Sequence, residues 1–60
     1  MLDYTFLIHD DRYSVPTLRL QAHRDDDDAI RHGQAMIAES PHHLRVEISR
    51  DGARIAELGA

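Results

Sequence analysis

An α+β domain with strand–strand–helix–strand–strand order is predicted by three features of these sixty residues. Two segments near the start and two near the end carry apolar side chains at alternate positions, the period of a β-strand. The stretch between them has apolar residues at helical spacing. Asp51-Gly52 divides the last two strand segments in the manner of a tight hairpin turn.

The first strand runs from Tyr4 to His9, with Tyr4, Phe6 and Ile8 on one face and Leu7 on the other. Being apolar on one side and partly so on the second, it is expected inside the sheet. Asp10 to Ser14 reads as a polar loop, and Pro16 introduces a second strand from Thr17 to Ala22. Matching Ile8 with Leu18, Phe6 with Leu20 and Tyr4 with Ala22 would keep every large apolar residue of the pair on one face.

The helix begins at Asp25 or Asp26, either of which suits an N-cap, and further acids in its first turn favour the positive end of the helix dipole. Ala29, Ile30, Gly33, Met36 and Ile37 form one apolar stripe. Gly33 costs up to about 1 kcal/mol against alanine in a helix interior, and its place on the stripe implies close approach to the sheet. Asp27 and Arg31 have the favourable acid-first spacing for a helical ion pair, and Ser40-Pro41 ends the helix. Leu44 to Ser49 alternates again, with Leu44, Val46 and Ile48 expected inward. The phase of Ala53 to Leu58 stays open. A two-residue turn would pair Ile48 with Ile55 and send Glu57 inward; a bulged three-residue turn would place Ala56 and Leu58 inward and Ile55 outward.

With the first strand interior, the expected sheet is antiparallel in the order 2-1-3-4, with the helix on one face. One helix cannot cover both faces of four strands. The uncovered face is expected to carry Thr5, Leu7, His9, Thr17, Arg19, Gln21, Arg45, Glu47 and Ser49. It is either hydrated, as antiparallel sheets tolerate, or occupied by a partner.

Length and composition narrow the function classes. Sixty residues make one domain, 1–60, that buries only roughly 60% of the surface its unfolded chain exposes. Without cysteine there is no disulfide and no thiolate metal site, so self-association is the expected source of extra stability. A net charge of −4 lacks the basic footprint of a nucleic-acid binder. All seven basic residues are arginine, which excludes Schiff-base chemistry and a P-loop lysine. No signal peptide and no bilayer-spanning apolar run is legible, so a soluble, cytoplasmic protein is expected. Protonating all five histidines would move the formal charge from −4 to +1, making solubility and association responsive to pH between about 5 and 7.

No motif specifies chemistry. Asp25 to Asp28 lacks the alternate spacing and distal glutamate of a calcium loop, and consecutive helical residues point about 100° apart, so capping and a solvated face are the expectation. His42 and His43 are strand neighbours that point to opposite faces. A tertiary cluster of His9, His23 and one of that pair is the remaining route to a metal site. His32 is expected on the wet side of the helix. Ser14, Ser40 and Ser49 lack a nucleophile-elbow context, and the glycines at 33, 52 and 59 form no phosphate loop. Neither an enzyme nor a cofactor is expected.

Three stretches, Tyr4-Thr5-Phe6-Leu7-Ile8-His9-Asp10, Asp27-Asp28-Ala29-Ile30-Arg31 and Arg45-Val46-Glu47-Ile48 with Asp51-Gly52-Ala53-Arg54-Ile55, resemble a family of short bacterial ββαββ proteins known only as a domain of unknown function. The resemblance spans nearly the whole chain and implies this fold; it brings no activity. A weaker similarity, in the first strand and the helix, is to HicB-like antitoxin domains. This chain lacks their strand-three Pro-Gly segment and an appended DNA-binding domain. The functions to weigh are an interaction or regulatory module, a homodimer or one that binds another protein; a histidine-based metal or small-ligand binder; and an antitoxin-like partner binder.

Overall fold

The computed structural model describes residues 1–59. Strands β1 (Leu2–Asp10) and β2 (Thr17–His23), helix α1 (Asp26–Glu39), and strands β3 (His43–Arg50) and β4 (Ala53–Gly59) follow one another. They form an antiparallel sheet in the order β2-β1-β3-β4, with α1 packed against β3 and β4. This is the α+β architecture that the sequence predicts.

The core lies between α1 and the inner face of the sheet. Tyr4, Phe6, Ile8, Ala29, Met36, Val46 and Ile48 are buried, and Ile30, Ile37, Ile55, Ala56 and Leu58 pack around them. Asp25 caps the helix by accepting the Asp28 N–H at 2.8 Å. The apolar stripe faces the sheet as its spacing requires, and Gly33 sits where a Cβ would fall 2.7 Å from Ile48 Cδ1 and 2.8 Å from Leu58 Cδ1.

β2 runs one residue out of its expected phase. Tyr4 pairs with Gln21, Phe6 with Arg19 and Ile8 with Thr17, while Leu7 meets Leu18 and Thr5 meets Leu20. Directly paired residues share a face. Leu18, Leu20 and Ala22 therefore lie on the uncovered face, and Thr17, Arg19 and Gln21 on the helix side. The reason is coverage: α1 sits over β3 and β4, so the inner face of β2 stays wet and its alternation reports no burial. The one buried β2 residue is His23, which the observed phase turns inward against Tyr4 and Phe6.

Two bulges complete the sheet. Asp10 pairs with His43 and His9 with Arg45, which leaves Leu44 as the extra residue, 47% exposed instead of inward. The second resolves the phase of β4. Arg50 pairs with Ala53 across a two-residue turn, and Asp51 and Gly52 both have positive φ (52° and 78°), the type I′ conformation. Ile48 then faces Ala56 and Ser49 faces Arg54, so Ile55 is the extra residue. The turn is tight, yet Ala56 and Leu58 still face the core and Ile55 packs against it.

Candidate functional site

Two groupings stand out: the uncovered face of the sheet, and a buried polar chain at the end of β2. On the uncovered face, pairing places Thr5, Leu7, His9, Arg45 and Glu47 together, as their alternation predicts. Arg19 and Gln21 do not join them, because the phase of β2 turns them to the other side. Leu18 and Leu20 take their place, 58% and 74% exposed. The face thus divides in two. Its β3/β4 half holds an ionic lattice: His9 Nε2 lies 2.9 Å from Glu47 Oε2, Arg54 Nη2 2.9 Å from Glu47 Oε1, and Arg45 Nε 3.2 Å from Glu57 Oε2, though off the hydrogen-bond direction. The His9 hydrogen bond, with the Arg54 and Arg45 charges adding, holds Glu47 below the ordinary carboxylate range against the opposing effect of burial. Its β1/β2 half is a leucine stripe, Leu7-Leu18-Leu20, beside a shallow concavity lined in part by Asp3, Thr5, Leu20 and Ala22. Sequence alternation predicts the lattice half; the stripe was hidden by the phase of β2.

No local pattern in the sequence reveals the second grouping, in which His23 is buried and Asp28 and His32 are half-buried. Asp28 Oδ2 lies 3.0 Å from His23 Nδ1, and His23 Nε2 lies 2.8 Å from His32 Nδ1. Phe6 packs against both rings, at 5.7 and 5.1 Å between centroids. His32 is therefore half-buried and engaged, not solvated. Because Asp28 can only accept when ionised, His23 keeps a proton on Nδ1, and one further proton lies between the two rings. A second added proton would set two N–H groups against each other. Burial, with the neighbouring His23 adding, holds His32 below the ordinary 6.5.

Asp26 of the run is engaged as well, whereas Asp27 is exposed. Tyr4 donates its hydroxyl to Asp26 Oδ1 at 2.7 Å, and Arg50 Nε reaches the same oxygen at 3.4 Å. Burial, reinforced by that Asp26 bond, pushes the Tyr4 phenol up to about 12. Arg31 approaches Asp28 at 3.9 Å instead of the expected Asp27. Asp10 is buried and accepts three bonds from Arg12: the backbone N–H at 2.8 Å, Nε at 3.0 Å and Nη2 at 2.6 Å. The Arg12 side chain holds Asp10 well below the usual carboxylate range, against burial.

The remaining histidines do not assemble. His42 Nδ1 is 2.8 Å from Asp11 Oδ1, and His43 Nδ1–H donates to the Met36 carbonyl at 2.6 Å, at the end of α1. His9, His23, His42 and His43 thus occupy four separate environments. Among the described residues no three histidine or carboxylate side chains are arranged to hold a metal ion, and no helix is long and apolar enough to cross a membrane. Comparison with protein-family models, curated proteins and solved structures returns no match.

These groups fix the pH dependence of stability. His32 is lowered, so its contribution is full above the unfolded value near 6.5 and is lost as pH falls through the folded value. Asp10, Asp28 and Glu47 are lowered, so theirs is present above about pH 4 and is lost on further acidification. Urea midpoints are expected to be level near pH 8, to decline once pH drops below 6.5, and to fall more steeply below 4. His32→Gln should remove the upper limb and Asp10→Asn should weaken the lower one. A wild-type midpoint unchanged between pH 7.5 and 5 would refute the shared-proton pair.

Proposed function

We propose that this protein is a non-enzymatic interaction module that associates with itself through the β1/β2 half of its uncovered sheet face. The observation that carries this reading is the leucine stripe, in which Leu18 and Leu20 on the edge strand β2 are exposed and share one face with the half-buried Leu7. Apolar patches rimmed by polar groups mark interaction surfaces. Electrostatics favours the same place: in a chain of net charge −4, β2 contains Arg19 and no acid, so two copies repel least along it. A small core adds motive, since apolar surface of Leu18 and Leu20 shielded by a second copy adds to the little that sixty residues bury alone. Sedimentation equilibrium at tens to hundreds of micromolar is expected to show a reversible dimer in wild type and a monomer in the Leu18→Asp/Leu20→Asp double variant. A wild-type monomer across that range would overturn the reading.

A further inference from the structure

Resting on that self-association reading, we infer that the partner strand is β2 of a second copy, laid antiparallel so that two sheets become one of eight strands. The sheet has two free edges, and they are built differently. β4 is interrupted by the Ile55 bulge and carries Arg54 and Glu57, the devices by which edges are made unreceptive to further pairing. β2 pairs with β1 through all seven residues without a bulge. Its only proline neighbour, Pro16, precedes the strand, so its outward N–H and C=O groups are continuous.

Its sequence also selects a register. Two-fold pairing keeps side chains on their own faces only if residues of equal parity meet. Centring on Arg19 would set two guanidiniums opposite each other. Centring on Gln21 would leave Thr17 and Leu18 without partners. Centring on Leu20 uses the whole strand: Leu20 meets the second copy's Leu20, Leu18 meets Ala22, Arg19 meets Gln21 and Thr17 meets His23. On the uncovered face this joins the Leu7-Leu18-Leu20 stripes of both copies into one apolar band. On the helix side it leaves no like-charge pair.

Single cysteines test the arrangement, because the chain has none of its own. Directly opposed Cβ atoms lie about 5 Å apart, so Leu20→Cys is expected to form an intermolecular disulfide nearly completely under mild oxidation. Leu7→Cys, on β1, lies three strand spacings (about 14 Å) across the sheet and four residues (about 13 Å) along it from its equivalent, and should remain a thiol. Leu20→Arg, which opposes two like charges, should raise the dimer Kd at least about tenfold. In wild type, the outward β2 amides should gain hydrogen-exchange protection with rising concentration, and β4 amides should not. A dimer in which Leu20→Cys stays reduced, or Leu7→Cys cross-links equally, overturns the edge-to-edge arrangement while leaving self-association intact. A monomer at hundreds of micromolar overturns both. Protection of β2 that arises only on adding host extract assigns the edge to a foreign strand and overturns the second copy.

Discussion

Phe6→Ala is expected to leave the chain mostly unfolded at 25 °C. Phe6 is fully buried at the centre of the sheet, paired with Arg19 on one side and Ile48 on the other. Truncating a buried phenylalanine costs about 3–5 kcal/mol. A sixty-residue domain has a total stability on the order of 3–9 kcal/mol, so the loss consumes most of it. The ring also walls the His23–His32 pair, and its removal would admit water to a hydrogen bond that depends on shielding. Phe6→Leu keeps most of the apolar volume and should cost less than about 2 kcal/mol. Its remaining deficit should be smaller at pH 5.5 than at pH 8, because water admitted beside the pair relieves the desolvation that depresses His32, so the variant loses less stability on acidification. Far-UV circular dichroism and urea titration read both variants. A Phe6→Ala midpoint close to wild type would contradict the placement of the core.

The second large effect is expected at Gly33, and there the size of the replacement decides its sign. Alanine recovers about 1 kcal/mol of helix propensity. Its Cβ would meet the tips of Ile48 and Leu58, which can move by a rotamer adjustment, so the net change should lie within about 1 kcal/mol of zero. Valine adds two carbons where Ile48, already fully buried, has no free space to enter. Overpacking of this kind costs about 1–3 kcal/mol, and β-branching in a helix adds to it. Gly33→Val should therefore lower stability by about 3 kcal/mol and push α1 away from β3 and β4. If valine were tolerated as well as alanine, the close helix–sheet contact could not exist in solution.

Local periodicity foretells much of this architecture. β1, α1 and the middle of β3 read correctly because each is pressed against the core, so its apolar period is a record of burial. β2 is not, since its inner face lies beyond the edge of α1. There Leu18 and Leu20 alternate for another reason, and the phase is set by a polar side chain, His23, that meets Asp28 and His32. No local pattern announces a buried histidine whose partners lie on another element. The bulge at Leu44 is equally silent, because it follows from placing His43 between Asp10 and the Met36 carbonyl. In β4 each turn geometry contains part of the answer: the turn has two residues, and a bulge at Ile55, within the strand and not in the turn, gives the inward Ala56 and Leu58 of the bulged alternative. The candidate face inherits this division: its charged half follows from the alternation of β1 and β3, whereas its leucines emerge only once β2 is placed.

The central position of the β1–β3 ladder also bears on how the chain reaches its fold. Each hairpin closes over a short loop, and α1 is local, so all three can form early. The ladder between them joins residues such as His9 and Glu47, 38 positions apart. Closing so long a segment comes at an entropic cost before any contact repays it. The rate of folding should thus be governed by docking of the two hairpins, with Phe6 and Ile48 at the seam, and not by the formation of either one.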